Sequence, residues 1–265
     1  MTFSPCAPWK RIGRRSVGTG SNMAVATLSP APQRKFSKNP FAAFYQSSIG
    51  KKIIVGITGL IWVLYVLGHL AGNLQIFLGQ DRINAYAQFL QGLGPLLWAV
   101  RIILLVALVT HIVATLQLAQ ENRVAKSTKY AVPGYQRSTL ASRTMVVTGL
   151  FVLCFVIYHI LHFTLQVTHP QYRELHDSLG RHDVYRMLIL SFSKPLISLF
   201  YILGVFFLGG HLSHGIASVT QTLGVNNRKL SESISKGGFI LAWLVFAGYA
   251  VIPISVLLGF IKQGP

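Results

Sequence analysis

Six histidines lie inside apolar runs of this chain: His69, His111, His159, His162, His211 and His214. Three others, His169, His176 and His182, fall in one connecting stretch. No Asp or Glu lies within any of those runs. An ionisable side chain placed among hydrocarbon is costly, and its presence marks function. Imidazole without a partner carboxylate keeps one strong chemistry at neutral pH, donation of a ring-nitrogen lone pair to a metal or a haem iron. His211 and His214 are one helical turn apart in "GGHLSHGIASVTQ", and His159 and His162 have the same spacing.

The elements that carry these residues are read from hydropathy. Hydrophobic residues make up 52% of the 265 positions and charged residues only 11%, against about 25% charged in soluble domains. Five apolar spans are expected at 53–78, 96–118, 144–167, 195–219 and 237–261. Each is long enough to cross a bilayer, which takes roughly 20 residues of helix. Backbone groups in lipid must be satisfied internally, and strand alternation is absent, so the expectation is an all-α membrane protein rather than a barrel. Four helices would form a bundle around the histidines, with one further helix beside it.

A formal net charge of +18 raises the question of nucleic acid, but the positions argue against such a partner. The basic residues gather in the N-terminal arm (Lys10 to Lys52), in the second loop (Arg123, Lys126, Lys129, Arg137, Arg143) and in the fourth (Arg228, Lys229, Lys236). The first and third loops balance Arg82, Arg173, Arg181 and Arg186 with Asp81, Glu174, Asp177 and Asp183. That alternation predicts a cytoplasmic N-terminus and an outer C-terminus. Residues 1–45 are basic, Ser/Pro-rich and free of acids, which reads as a disordered arm with the flavour of a transit peptide; Met23 is an alternative start. The membrane domain then covers 46–265. Cys6 and Cys154 form no disulfide or metal pattern.

Depth sorts the histidines. His69 lies 17 residues after Lys52, and His159 and His162 lie 16 and 19 after Arg143, about 25 Å from the cytoplasmic side at 1.5 Å per residue. His111, His211 and His214 fall near the other ends of their spans, about 10 Å from that side. Two layers result, one drawing on spans one and three and the other on spans two and four. Two axial histidines from facing helices are what a six-coordinate b-type haem requires. Gly68 and Gly72 flank His69, and Gly209, Gly210 and Gly215 flank the span-four pair; glycine there serves either a porphyrin edge or close helix packing.

With these features the chain resembles the five-helix, di-haem cytochrome b membrane anchor of succinate dehydrogenase and fumarate reductase. The resemblance rests on "GHLAGNLQIFLG", "THIVATLQLAQENR", "HFTLQVTHPQ" and "HGIASVTQTLG", in that order, over roughly 42–262. It implies two b haems, with His69 and His162 on the outer one and His111 and His214 on the inner one. His162 is selected by its place before Pro170 and His214 by the Gly215 that follows it; His159 and His211 then take supporting roles. It further implies a flavoprotein and an iron–sulfur subunit on the cytoplasmic face, a quinone such as menaquinone as the redox partner, and the cytoplasmic membrane of a bacterium. No succinate site is expected on this chain. Some relatives carry a carboxylate two residues before the span-four ligand, where this chain has Leu212, so a carboxylate relay across the membrane is not expected.

Arg101, ten residues before His111, is a candidate contact for the outer haem's propionates, or else a cation reaching the interface. Asp81, Arg82, Asn84, Tyr86 and Gln91 are candidates for holding a quinone headgroup. Two alternative readings are a di-haem subunit of another quinone-linked dehydrogenase and a histidine-based metal transporter.

Overall fold

The computed structural model describes residues 37–125, 144–222, 224 and 227–262. The arm before residue 37, with Cys6, and the basic residues at 126–143 lie outside them. Among the described residues the chain is helical, with one isolated bridge between His176 and His182 and no strand. Helix α1 (Pro40–Gln46) starts where Asn39 accepts hydrogen bonds from the backbone of Phe41 and Ala42, with proline in the first turn. The arm expected to run to residue 45 therefore ends in ordered helix. Ser47 closes α1 and caps α2 (Ser48–Asn73) through Gly50 N–H.

Helix α2 tightens into a 3-10 turn, Leu74–Leu78, and stops at Gly79 with φ 96°. Next come α3 (Gln80–Gly92), α4 (Pro95–Ala125), α5 (Met145–His159), α6 (Val184–Phe192), α7 (Pro195–Thr222) and α8 (Arg228–Leu257). Five helices, those built on α2, α4, α5, α7 and α8, are long and apolar enough to cross a membrane. The chain is an all-α, multi-pass membrane protein. Helices α4 and α8 outrun the expected spans by several residues at their polar ends. Hydropathy reports what suits hydrocarbon, whereas a helix of good formers continues until a cap or breaker stops it; for α8 that cap is Asn227, which accepts from Leu230 N–H.

Helices α2 and α4 pack antiparallel, with Lys51 against Glu121 at 2.6 Å near one end and Thr58 level with His111 further along. Helices α5 and α7 repeat the arrangement, with Phe151 stacked on Phe207 at 4.6 Å. Helix α8 lies along α7, where Gly209 lets Phe246 approach. It also reaches α2 through Tyr249, whose hydroxyl donates to Val66 O at 2.8 Å. Helix α4 scarcely touches α5.

The two ends of the bundle differ. At the end away from α1 sits a cap made of α3, a 3-10 turn (Pro170–Glu174) and α6. Asn84, fully buried, donates to Asp183 Oδ1 at 3.0 Å and to Asp177 Oδ2 at 3.2 Å, and accepts from Tyr185 N–H. Arg181 bridges Asp177 (2.7 Å) and Asp81 (2.8 Å). Burial pushes the Asp177 carboxyl up, but hydrogen bonds from Arg181, Asn84 and the Leu179 amide outweigh it and hold it at about 2. Under this network lies the main apolar core, with Ile76, Ile83, Leu188, Phe192 and Ile252. Along the bundle, rows such as Ile102, Leu105 and Val109 stay exposed, as a lipid-facing surface requires.

Candidate functional site

The helix pairs bring the histidines together two by two. On the cap side, His69 at the end of α2 faces His159 at the end of α5, with ring centroids 5.8 Å apart and planes at 84°. On the α1 side, here the arm side, His111 of α4 faces His211 of α7 at 6.4 Å and 66°. An imidazole nitrogen lies about 2.0–2.1 Å from a bound transition metal with its ring centroid roughly 1 Å behind, so two rings on one ion have centroids about 6 Å apart. Both pairs fit that spacing. Along α2, His69 is eleven residues beyond the level of His111 marked by Thr58, so the layers are about 16 Å apart.

The arm-side rings are held by hydroxyls and glycines. Thr58 Oγ1 donates its proton to Ile54 O at 2.7 Å and lies 3.1 Å from His111 Nδ1. Thr148 Oγ1 donates to Met145 O at 3.0 Å and lies 3.4 Å from His211 Nδ1. A hydroxyl has one proton. With it engaged on a backbone carbonyl, the oxygen accepts from Nδ1–H, which leaves Nε2 with its lone pair. That is the tautomer a metal ligand needs. A Cβ at Gly59 would sit 3.4 Å from His111 Cε1, and one at Gly149 3.3 Å from His211 Cε1, so each ring rests on a glycine.

The cap-side rings are held by aromatics. Tyr65 stacks on His69 at 5.4 Å. His159 is surrounded by Phe155, Phe163 and Tyr201, and its Nδ1 is buried with no hydrogen-bond partner among the described residues.

The other member of each doublet is placed differently. After His159 the helix widens into a π turn, Ile160–Thr164, and His162 leaves the pair. It is fully buried, with Nδ1 2.9 Å from Tyr201 Oη and Nε2 3.4 Å from Ser191 Oγ. Both nitrogens are engaged by protein. His214 is half-buried and forms no ring pair among the described residues. The geometry thus sets His159 and His211, not His162 and His214, opposite His69 and His111.

Of the glycines, Gly68 and Gly210 face open space, Gly72 receives Tyr86, and Gly215 lies near Met145. Arg101 is exposed, its guanidinium 5.0 Å from the Trp98 ring centroid. Of the headgroup candidates, Asp81 and Asn84 belong to the cap network and Tyr86 packs on Gly72. The sequence reading missed Thr58, Gly59, Thr148, Gly149 and Tyr201. A signal was present for four of them: Thr-Gly-Leu occurs at Thr58 and again at Thr148, each followed by histidine eleven residues after the threonine, at His69 and His159. That repeat also distinguishes His159 from His162.

Among the described residues no three or more His, Cys, Asp or Glu converge as a metal cage; the histidines meet in pairs. Compared with family models, with curated proteins and with solved structures, the chain matches none. Fold and site together define a class, a multi-pass helical membrane protein with two stacked histidine pairs.

Proposed function

We propose that this chain is a di-haem cytochrome b that carries electrons across the membrane between a quinone and an iron–sulfur partner, as the anchor subunit of a succinate:quinone oxidoreductase. The observation that carries the haem reading is the pairing of His69 with His159 and His111 with His211, at metal-spanning distance and at two depths. The motif resemblance supplies the succinate- or fumarate-linked partner, a flavoprotein with an iron–sulfur subunit. The basic loops favour docking that partner at the arm side, with the N-terminus in the cytoplasm of a bacterium. The quinone, a menaquinone in this reading, meets the opposite, cap-side layer.

His69 and His159 would hold one haem and His111 and His211 the other, which reassigns the ligands that the motif comparison selects at 162 and 214. When bound, haem iron supplies reversible one-electron transfer between its ferrous and ferric states. The chain's own contribution is fourfold. It presents two facing pairs of imidazoles, fixes the arm-side tautomers through threonine, surrounds the cap-side pair with aromatic rings, and stacks the layers about 16 Å apart.

Pyridine-haemochrome quantitation on the purified protein tests this. The expected result is two b haems per chain, falling to one in H69A, H159A, H111A or H211A and staying at two in H214L. Absence of haem from protein made in cells able to supply it would overturn the reading and turn attention to metal transport. Succinate-driven quinone reduction by membranes containing the chain, lost on its deletion, tests the partner.

A further inference from the structure

We infer that Thr58 and Thr148 are positioning residues that hold down the redox potential of the arm-side haem, and that the cap-side haem has no such control at His159. This rests on the di-haem reading above. The two threonines stand in the same relation to their histidines although they belong to different helices. Each Oγ1 gives its proton to its own helix, to Ile54 O in one case and Met145 O in the other. Each then faces Nδ1 of the histidine on the antiparallel neighbour, at 3.1 Å and 3.4 Å; the Val55 carbonyl, one turn from Thr58, is a second acceptor for His111, so the larger shift is expected at Thr148. The next residue in each helix is the glycine on which that ring rests. The Thr-Gly pair therefore fixes the ring twice, by a hydrogen bond at Nδ1 and by contact at Cε1.

An acceptor on Nδ1–H makes the imidazole a stronger electron donor at Nε2. A stronger axial donor favours the ferric over the ferrous state, which lowers the potential. On the cap side the corresponding nitrogen of His159 is buried without a hydrogen-bond partner among the described residues. The asymmetry is thus built into the side chains: two hydroxyl acceptors on one layer, and for His159 on the other an aromatic surround. Its consequence is directional, since an electron entering the arm-side layer is released toward the cap-side one more readily than it would be without the threonines.

The test is a potentiometric titration, followed in the visible spectrum, of the intact membrane protein and of T58V, T148V, T58S and T148S. The haem missing in H111A identifies the arm-side centre. Each valine variant is expected to raise that centre's potential, T148V by a tenfold change in its reduction equilibrium, about 59 mV for one electron, and T58V by less, with the cap-side centre unmoved and serine restoring the original value. If a valine variant loses the arm-side haem and serine returns it, the hydroxyl is likewise confirmed as the holding group. Unchanged potentials, an equal shift of both centres, or a loss that serine fails to repair would overturn the inference. A wild-type protein with no b haem would instead overturn the di-haem reading, so the two failures are distinguishable.

Discussion

The two histidine layers draw on the same four helices yet are built by different means. Arm-side His111 and His211 are tethered by hydroxyls and seated on glycines. Cap-side His69 and His159 are wedged among Tyr65, Phe155, Phe163 and Tyr201, beneath a buried polar network. Directional bonds hold the first layer and packing holds the second. The reason lies in the surroundings. The arm-side pair sits within the lipid-spanned part of the bundle, where outward rows must stay apolar and only short polar side chains facing inward are available. The cap-side pair is enclosed by aromatic side chains of the spanning segments themselves, Tyr65 of α2, Phe155 of α5, Phe163 of the π turn and Tyr201 of α7.

The comparison can be broken most sharply at the doublets. H159A is expected to remove one haem of two, whereas H162Q, which can keep contact with Tyr201 and Ser191, leaves both; haem-to-protein ratios decide between them. Equal loss in the two variants would show that packing does not select the ligand. Next in size, N84L should destabilise the cap by about 3 kcal/mol, because it leaves the carboxylates of Asp177 and Asp183 short of a buried donor. Hydrogen exchange should then rise in α3 and α6 while the arm-side half of α4 keeps its protection.

A smaller effect is expected from Y201F. Removing the hydroxyl leaves His162 Nδ1 unsatisfied at a cost of about 1–2 kcal/mol, read as a lower Tm with two haems still bound. A further effect appears only in acid. Asp177 is held at about 2 in the folded cap, below the unfolded value of about 3.9. Its contribution is therefore fully present above pH ~4 and is lost as the pH falls toward 2. Acid titration followed by exchange in α3 should show the cap loosening in that window; D177N should flatten the dependence.

Much of the architecture was legible in order of residues alone. Five apolar runs and the absence of acids within them specify helices in lipid, and counting along each run sorts six histidines into two depths. Pairing of spans one with three and two with four also followed, because histidines at equal depth have no other partners at hand. The cap was not legible. Its core joins Ile76 and Ile83 to Leu188 and Ile252, from three stretches far apart in the chain, and Asn84 looked like a loop residue available to a ligand when it is a buried strut.

What the sequence by itself determined, then, is the number of apolar helices long enough to cross a membrane and the relative depth of the six histidines within them, since hydropathy and a rise of about 1.5 Å per residue act locally. Which member of each doublet faces inward was set by tertiary structure, although for His159 the repeated Thr-Gly-Leu already carried a trace of it. Residues three apart on a helix differ by roughly 60° in direction, so both look inward until a neighbour sets the rotation. For α7 that neighbour is α8, locked at Gly209 against Phe246. For α5 it is the π turn at Ile160–Thr164, which swings His162 toward Tyr201 and Ser191 and leaves His159 opposite His69.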